Sequence, residues 1–239
     1  MFPSVIMLHH VSDKTEYASL QPYCISTSKF SQLLDYLDRE KIETTTFTAI
    51  SAGELSTSKK IILTFDDCSK HLLDFAIPEL VKRKHTASFY MPTANIGGYN
   101  NWDADRGMAR VEIMDQHDLV ELQKLGMEIG GHSHDHIKLR AESNNKVEYQ
   151  IEKCKSILET ILNKKVDSFA YPFGSVPENY KTILAKNDFK YGLSIFQPFE
   201  NKFAVRRSIF HNGDTDQSIK QKLSFAYKLY RTFTDPLKG

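Results

Sequence analysis

The sequence predicts an α/β fold in which strands and helices alternate around a closed or nearly closed barrel. Two observations support this prediction. About seven short apolar segments alternate with amphipathic segments of ten or more residues, which is the pattern of βαβ units with a mostly parallel sheet. The sequence contains neither a GxGxxG nor a Walker motif, so a barrel is favoured over an open nucleotide-binding sheet.

The predicted strands are short runs of apolar and β-branched residues, several of which end in polar residues or glycine. The first, SVIMLHH, leads into two histidines, and the second, KIILTF, leads into two aspartates. In chain order the predicted strands cover residues 4–10, 60–65, 86–91, 127–136, 167–174, 190–196 and 203–210.

The predicted helices follow from apolar residues that recur at helical spacing behind capping residues. In the segment 26–42, Phe30, Leu33, Leu34 and Leu37 share one face, and Ser or Thr precedes them. The remaining predicted helices cover residues 72–83, with Pro78 at a kink or start, residues 115–126, with an Asp115 cap and a Gly126 stop, a long run from Ser143, and a final helix from about Ser218.

Nothing in the sequence divides the chain into separate units. It has 239 residues, of which 41% are hydrophobic, so it can bury a sizeable core. This length lies within the range of a single α/β barrel. Because we find no repeat, low-complexity tract or linker, the sequence predicts one domain spanning residues 1–239.

The charge balance, the hydrophobic segments and the cysteine positions argue against several classes of protein. The chain has 31 basic and 30 acidic side chains and a net charge of +1, so no basic field predicts a nucleic-acid partner. No segment approaches the roughly 18 apolar residues of a membrane span, and the first residues lack the features of a secretory leader. Cys24, Cys68 and Cys154 are scattered, unlike a disulfide framework. We expect a cytoplasmic protein without a transmembrane segment.

Polar residues with catalytic or ligand chemistry follow several predicted strands directly. In a barrel, active-site residues lie at the carboxyl ends of the strands, so such residues meet on one rim even when they are distant in sequence. The residues at these positions are Asp66, Asp67, His132, His134, His136, His9 and His10.

The aspartates and histidines together predict a metal site. One carboxylate and two imidazoles, with positions left open for water, suit Zn²⁺ or, with less preference, another divalent ion. If HSHDH is extended, all three of its histidines face one way; if it is helical, only His132 and His136 align. Adjacent side chains such as Asp66 and Asp67 diverge, so one can bind the metal while the other serves as general base. The alternative for Asp67 is a helix N-cap.

Two motifs make the sequence resemble the polysaccharide deacetylase family, carbohydrate esterase family four. The family's T-F-D-D motif is intact at residues 64–67, and its H-[ST]-x-x-H motif is intact at residues 132–136. The resemblance implies that Asp66 is the catalytic base and that Asp67, His132 and His136 bind the metal. It also implies a distorted (β/α)₇ barrel, with similarity in layout from about residue 4 to residue 215.

The third family motif, R-x-P-[YF], departs from the pattern because alanine stands where arginine is expected. The chain reads Ala170-Tyr171-Pro172-Phe173, so the arginine that braces the base in the family is missing. Arg206 or Arg207 could supply that guanidinium from another strand. The resemblance implies that Tyr171 and Phe173 contact the substrate, and that the Phe173 backbone N–H binds the oxyanion.

The histidine of the fifth motif has two candidates. The opening VIMLHH resembles a family branch with circularly permuted motifs, in which this histidine comes first, and then His9 is the general acid. The competitor is His211 in Ile209-Phe210-His211, and either histidine could instead be structural. The long segment 92–112 around Trp102 could cover a sugar or be only a surface loop. Cys68 is interpreted as a packing residue.

These residues predict a metal-dependent hydrolase that removes the acetyl group from an N-acetylated sugar. A small or lipid-linked glycan precursor at the cytoplasmic face is the expected substrate. Two alternatives stay open, an amidase acting on a non-sugar C–N bond and a catalytically silent carbohydrate-binding protein. Retention of both aspartates and both histidines argues against the silent protein, whereas the missing arginine argues for it.

Overall fold

We describe the protein from a computed structural model, which covers residues 2–53, 59–197 and 199–235. The predicted domain 1–239 also includes residues 1, 54–58, 198 and 236–239, which lie outside the described residues. The strands are β1 (Ser4–Leu8), β2 (His10–Val11), β3 (Cys24–Ile25), β4 (Glu43–Thr45), β5 (Lys60–Asp66), β6 (Ser88–Met91), β7 (Glu128–Gly131), β8 (Ser168–Ala170), β9 (Tyr191–Ser194), β10 (Val205–Arg206) and β11 (Ser208–Ile209).

Helices connect these strands. They are α1 (Thr27–Arg39), α2 (Phe47–Ser51), α3 (Ala76–Lys82), α4 (Gln116–Lys124), α5 (Asn144–Leu162), α6 (Tyr180–Lys186), α7 (Asp216–Lys222) and α8 (Phe225–Thr234). The predicted caps of α1 and α4 are present, since the Ser26 and Asp115 side chains accept hydrogen bonds from the first turns of these helices. Ser143 caps α5 in the same way. The predicted Gly126 stop is also present, because Gly126 has a positive φ of 82°.

The main sheet is parallel and closes on itself. Its strand order is β10-β9-β8-β7-β6-β5-β1-β11, with β4 added beside β5. One short segment, residues 205–209, closes the ring. Val205 and Arg206 pair with β9, and Ser208 and Ile209 then pair with β1. The predicted (β/α)₇ barrel is confirmed, with its seventh strand divided between two neighbours.

The interior of the barrel is filled by side chains from the strands. Tyr90 of β6 is fully buried, and a Cβ on Gly130 of the adjacent strand would lie 2.3 Å from its ring. A glycine is therefore required at residue 130 so that the Tyr90 ring fits. On the outer face of the sheet, Phe65 and Phe89 are cross-strand neighbours with ring centroids 5.0 Å apart and pack under α1 through Phe30.

Two sequence predictions about the end of the chain are wrong in detail. The segment 203–210 is not one strand, because it changes neighbours at Arg207. The final helix is two helices, since Ser224 accepts a hydrogen bond from the Tyr227 N–H and starts α8. The short elements β2, β3, β4, α2 and α6 have too few residues to show periodicity. In the part of the chain that the structure describes, no helix is both long and apolar enough to cross a bilayer.

Candidate active site

The carboxyl ends of the strands enclose a cavity of about 200 Å³. This rim holds most of the residues selected from the sequence. The lining side chains include His9, Asp66, Asp67, Trp102, His132, His136 and Phe173. The convergence that the barrel prediction required is thus present.

The loops that supply these side chains have unusual backbone conformations. Non-glycine residues with positive φ occur in the loops after β5, β7 and β8, namely Asp67, Cys68, Ser133, His136 and Phe173. Such conformations are strained for residues with a Cβ and persist only where the surroundings fix them. HSHDH is therefore neither extended nor helical, and Asp67 lies in a turn and is not a helix N-cap.

Asp67, His132 and His136 present their ligand atoms to one point. One atom from each residue lies within 4.8 Å of the other two, and all three residues are buried. The Asp67 Oδ1 atom is 3.1 Å from His136 Nε2 and 3.5 Å from His132 Nε2. Among the described residues, however, Asp67 Oδ1 has no hydrogen-bond partner. A buried carboxylate oxygen beside two imidazole nitrogens, with no hydrogen bond between them, fits a cation that all three would share.

A hydrogen bond of His132 fixes the tautomer that leaves its Nε2 atom free to bind a cation. Its Nδ1 lies 2.7 Å from the carbonyl oxygen of Ala170, to which only a protonated nitrogen can donate. The Nε2 atom then carries the lone pair and faces Asp67, which is the usual arrangement of a metal-binding histidine. Burial lowers the pKa of both His132 and His136 to about 4, so both imidazoles are neutral near pH 7. This donor set fits a divalent transition metal.

A second cluster of acidic residues and histidine, Asp115, His117 and Asp118, has a different character. It lies at the surface, and Asp115 and Asp118 cap α4 by exchanging hydrogen bonds with each other's backbone. The Lys70 ammonium lies 3.4 Å from Asp115 and 3.6 Å from Asp118. These carboxylates already have partners, so this cluster is a helix cap with a salt bridge.

Asp66 meets Arg207, and its Oδ2 atom also lies 3.8 Å from His132 Nε2. The guanidinium donates two hydrogen bonds to the two carboxylate oxygens, at 2.6 and 2.8 Å. Burial by itself would raise the pKa of Asp66, but the charge and the hydrogen bonds of Arg207 hold it well below its ordinary value. Arg207 is 1% exposed and also contacts Thr64 Oγ1 at 3.3 Å. Of the two arginines considered from the sequence, Arg207 therefore fills the place of the missing motif arginine.

Arg206 serves a different purpose. Its Nη2 donates to the Lys228 carbonyl oxygen at 2.9 Å and to Thr232 Oγ1 at 3.0 Å, both on α8. Since consecutive side chains of an extended segment point in opposite directions, Arg206 faces the outer helix and Arg207 faces the barrel interior.

His9 lies inside the cavity and His211 lies outside it. The His9 Nε2 atom is 4.0 Å from Asp66 Oδ2, and its ring is 5.1 Å from that of Tyr23. Burial lowers the pKa of His9, although the charges of Asp66 and Asp67 oppose this effect. His211 is exposed, and its backbone N–H donates to Asp214 Oδ2 at 2.8 Å. His10, the neighbour of His9, points to Ser69 Oγ, 2.8 Å from its Nδ1.

Two other residues selected from the sequence lie away from the metal triad. Tyr171 is fully buried, and its hydroxyl donates to the Phe203 carbonyl oxygen at 2.9 Å. The expected contact with the substrate is therefore wrong for the Tyr171 side chain, because the ring is buried against Phe169 and Tyr180. His134 turns away from His132, and its Nδ1 lies 2.9 Å from Thr93 Oγ1. Cys68 is fully buried and unpaired, as expected of a packing residue.

Aromatic side chains form the walls of the cavity. The Trp102 ring lies 4.2 Å from that of His136, and the Phe173 ring lies 4.7 Å from it on another side. Tyr23 and Phe196 also line the cavity. Tyr23 and Phe196 could not be selected from the sequence, since a single aromatic residue in a loop belongs to no motif or periodic pattern. Trp102 was selected because it is the only tryptophan.

Fold and site together have the form of a barrel hydrolase, with three residues that could hold a metal ion and a braced carboxylate beside them. The family model described as polysaccharide deacetylase matches residues 53–192, which is more than half of the chain. The chain belongs to the polysaccharide deacetylase family, as its motifs predicted.

Individual relatives are similar at low identity. Poly-β-1,6-N-acetyl-D-glucosamine N-deacetylase of Staphylococcus aureus is 22% identical over 218 residues, covering 84% of this chain and 73% of that protein. The structure of Streptococcus pyogenes deacetylase PplD in complex with acetate superposes with a TM-score of 0.78 at 19% identity, covering 93% of this chain and 98% of that one. A polysaccharide deacetylase from Bacillus cereus gives a TM-score of 0.75 at 22% identity, covering 92% and 68%. These structures support the fold.

Proposed function

We propose that the protein is a Zn²⁺-dependent N-deacetylase that hydrolyses the acetamide of an N-acetylated sugar. The observation that carries this proposal is that two adjacent aspartates in one cavity have different partners. Among the described residues, Asp67 Oδ1 has no hydrogen-bond partner although it lies beside His132 and His136, whereas Asp66 is braced by Arg207. Asp67, His132 and His136 would hold the ion. When bound, the ion would make the attacking water more acidic and polarise the acetyl carbonyl.

Asp66 acts as the general base in this proposal. A base must be ionised when the substrate arrives, and Arg207 keeps the carboxylate charged by lowering its pKa. The bidentate contact also fixes the orientation of the carboxylate, so that it can accept the proton of the attacking water. Its low proton affinity makes it a weak base, and activation of the water offsets this.

His9 acts as the general acid in this proposal. The amine leaves poorly unless it takes up a proton as the C–N bond breaks, so a donor close to the base is needed. His9 lines the same cavity, with its Nε2 atom 4.0 Å from Asp66, and in this proposal it delivers that proton. The backbone N–H of Phe173 would donate to the oxyanion, and the left-handed conformation of this residue is the local feature that supports this role.

The aromatic walls favour a sugar as the substrate. Trp102, Tyr23, Phe173 and Phe196 offer flat apolar surfaces, against which the C–H faces of a pyranose ring pack well. The curated relatives are named for poly-β-1,6-N-acetyl-D-glucosamine, so we propose an N-acetylhexosamine unit. A small or lipid-linked glycan precursor and a cytoplasmic location stay predictions. The argument for a catalytically silent protein was the missing arginine, and Arg207 removes that argument.

Acetate release from a panel of N-acetylated sugars tests this proposal. The protein is treated with a chelator and then assayed with and without added Zn²⁺, and Asp66→Asn serves as the control for contaminating hydrolase activity. We expect Zn²⁺-dependent acetate release from at least one N-acetylhexosamine. Formamides and cyclic amides are assayed in parallel, and release of product only from these compounds would instead establish the amidase. Zn²⁺ binding without turnover of any of these substrates would contradict the proposed hydrolase.

A further inference from the structure

Among the described residues, the segment that closes the barrel leaves two backbone carbonyls without a partner in the sheet. The Arg207 N–H donates to the Ser194 carbonyl oxygen at 3.1 Å, in the last hydrogen bond between this segment and β9. The chain then moves to β1, where Ser208 pairs with Ile6. The carbonyls of Ile195 and Arg207 lie just beyond this change of neighbour, where the ladder no longer supplies donors.

One buried guanidinium from α8 satisfies both carbonyls. The Arg231 Nη1 donates to the Arg207 carbonyl oxygen at 2.6 Å, and its Nη2 donates to the Ile195 carbonyl oxygen. Asp235 accepts from Arg231 Nε at 3.1 Å and lies 2.9 Å from Nη2. Arg231 is 7% exposed and Asp235 is 1% exposed. A charged hydrogen bond in this environment is strong and directional.

The two carbonyls that Arg231 binds, a contact that we call the clamp, belong to residues that shape the candidate site. The side chain of Arg207 braces Asp66, and Ile195, with its neighbour Phe196, lines the cavity. We propose that Arg231 is a positioning residue, which holds the guanidinium of Arg207 against Asp66 and holds the wall at Ile195 in place. Its kinetic consequence rests on the proposed function, whereas the clamp itself does not.

The clamp does not involve the three candidate metal ligands. Asp67, His132 and His136 belong to the loops after β5 and β7, and Arg231 contacts neither loop through the hydrogen bonds described above. Loss of the clamp should therefore lower turnover without weakening metal binding. A small displacement of a positioned group can cost up to about 10²-fold in rate.

Arg231→Met tests this inference, with Arg206→Met as the matched control. Both arginines connect α8 to the closing segment, but the Arg206 side chain contacts α8 and not Asp66. We expect Arg231→Met to lower kcat about 10- to 100-fold, with Zn²⁺ affinity unchanged. Arg206→Met should lower Tm while kcat stays within about twofold. Equal losses of kcat in the two variants would show that docking of α8 alone matters, which would overturn the inference.

A double-mutant cycle separates action through Arg207 from any other route. In an Arg207→Met background, Arg231→Met should cause a clearly smaller loss of kcat than in wild type, because the brace is already absent and only the wall at Ile195 is still affected. The same loss in both backgrounds would overturn the inference. Arg231→Lys provides a folded comparison, since one ammonium can reach only one carbonyl well, and its kcat should lie between wild type and Arg231→Met. A kcat for Arg231→Lys equal to that of wild type would overturn it.

Hydrogen exchange provides a readout that needs no activity. Amides of residues 194–196 and 207–209 should exchange faster in Arg231→Met than in Arg206→Met. Unchanged exchange in folded Arg231→Met would refute the clamp. If wild type releases no acetate while the exchange result holds, the proposed function fails and the clamp does not.

Discussion

The metal side and the base side of the cavity are built in different ways. The metal side comes from two short stretches, Asp67 in one turn and His132 with His136 in another, and each stretch is a continuous sequence motif. The base side joins Asp66 to Arg207, 141 residues away, and Arg207 in turn to α8. The proposed metal ligands are therefore presented by local turns, whereas the ionisation of the proposed base depends on a contact across the closed barrel.

The largest effect expected from this comparison is the loss of turnover in Asp66→Asn. An amide cannot take the proton from the attacking water, and a positioned base contributes about 10²–10⁴-fold. The metal triad does not include Asp66, so we expect Zn²⁺ affinity to stay close to that of wild type. Steady-state kinetics and metal titration of the same preparation measure both quantities. If the variant is metal-free at Zn²⁺ concentrations that saturate wild type, the roles of the two aspartates are reversed.

The difference between the two sides also explains how far the sequence could predict the site. Asp66, Asp67, His132 and His136 were identified because their spacing is local and the barrel rule places them on one rim. The choice between Arg206 and Arg207 could not be made, because it depends on which side chain of a segment faces inward where that segment changes neighbours. The fold class followed from the alternation of elements. Arg231 was missed, since a lone arginine on a helix has no distinguishing pattern.

Tyr171 illustrates the opposite error. It lies in a family motif, so the resemblance implied contact with the substrate, but its ring packs against Phe169 and its hydroxyl donates to the Phe203 carbonyl oxygen. The side chain of a motif residue points to the site only if the backbone turns it there. Phe173, two residues on, lines the cavity, and its backbone has the left-handed conformation.

A second prediction compares His9 with His211. We expect His9→Ala to lower kcat about 10²-fold because the departing amine loses its proton donor, with the ion retained. His211→Ala should stay close to wild type, since His211 is exposed and outside the cavity. Activity and bound metal are measured for both variants. A large loss in His211→Ala with a normal His9→Ala would move the acid to the end of the chain and remove the reason to consider the motifs permuted.

A third prediction concerns the metal side alone. Asp67→Asn removes the charged ligand, and even partners of ligands contribute about 10–100-fold to metal affinity, so we expect a loss of at least about tenfold. Turnover measured at saturating Zn²⁺ should recover in part, because Asp66 and Arg207 are intact. Calorimetric titration with Zn²⁺ measures the affinity. An unchanged dissociation constant would show that the ion does not bind at Asp67.

The smallest effect expected is a pH dependence of metal affinity that belongs to Asp67. Burial raises the pKa of this carboxyl to about 6 in the metal-free protein, and the charge of Asp66 adds to the rise. A proton on Asp67 competes with the ion, so affinity is full above this pKa and falls as the pH drops through it. Between pH 7 and pH 5 we expect about a tenfold loss.

His132 and His136 should not contribute to this dependence, because their pKa values of about 4 leave both imidazoles neutral throughout the range. Asp67→Asn separates the sources, since it removes the group that titrates near pH 6 and keeps both histidines. Its weaker Zn²⁺ affinity should be the same at pH 7 and pH 5. A fall of tenfold in that variant as well would assign the proton to a histidine. The pH dependence of Zn²⁺ affinity would then come from the imidazoles. The different surroundings of Asp66 and Asp67 would no longer explain how the two sides of the cavity differ.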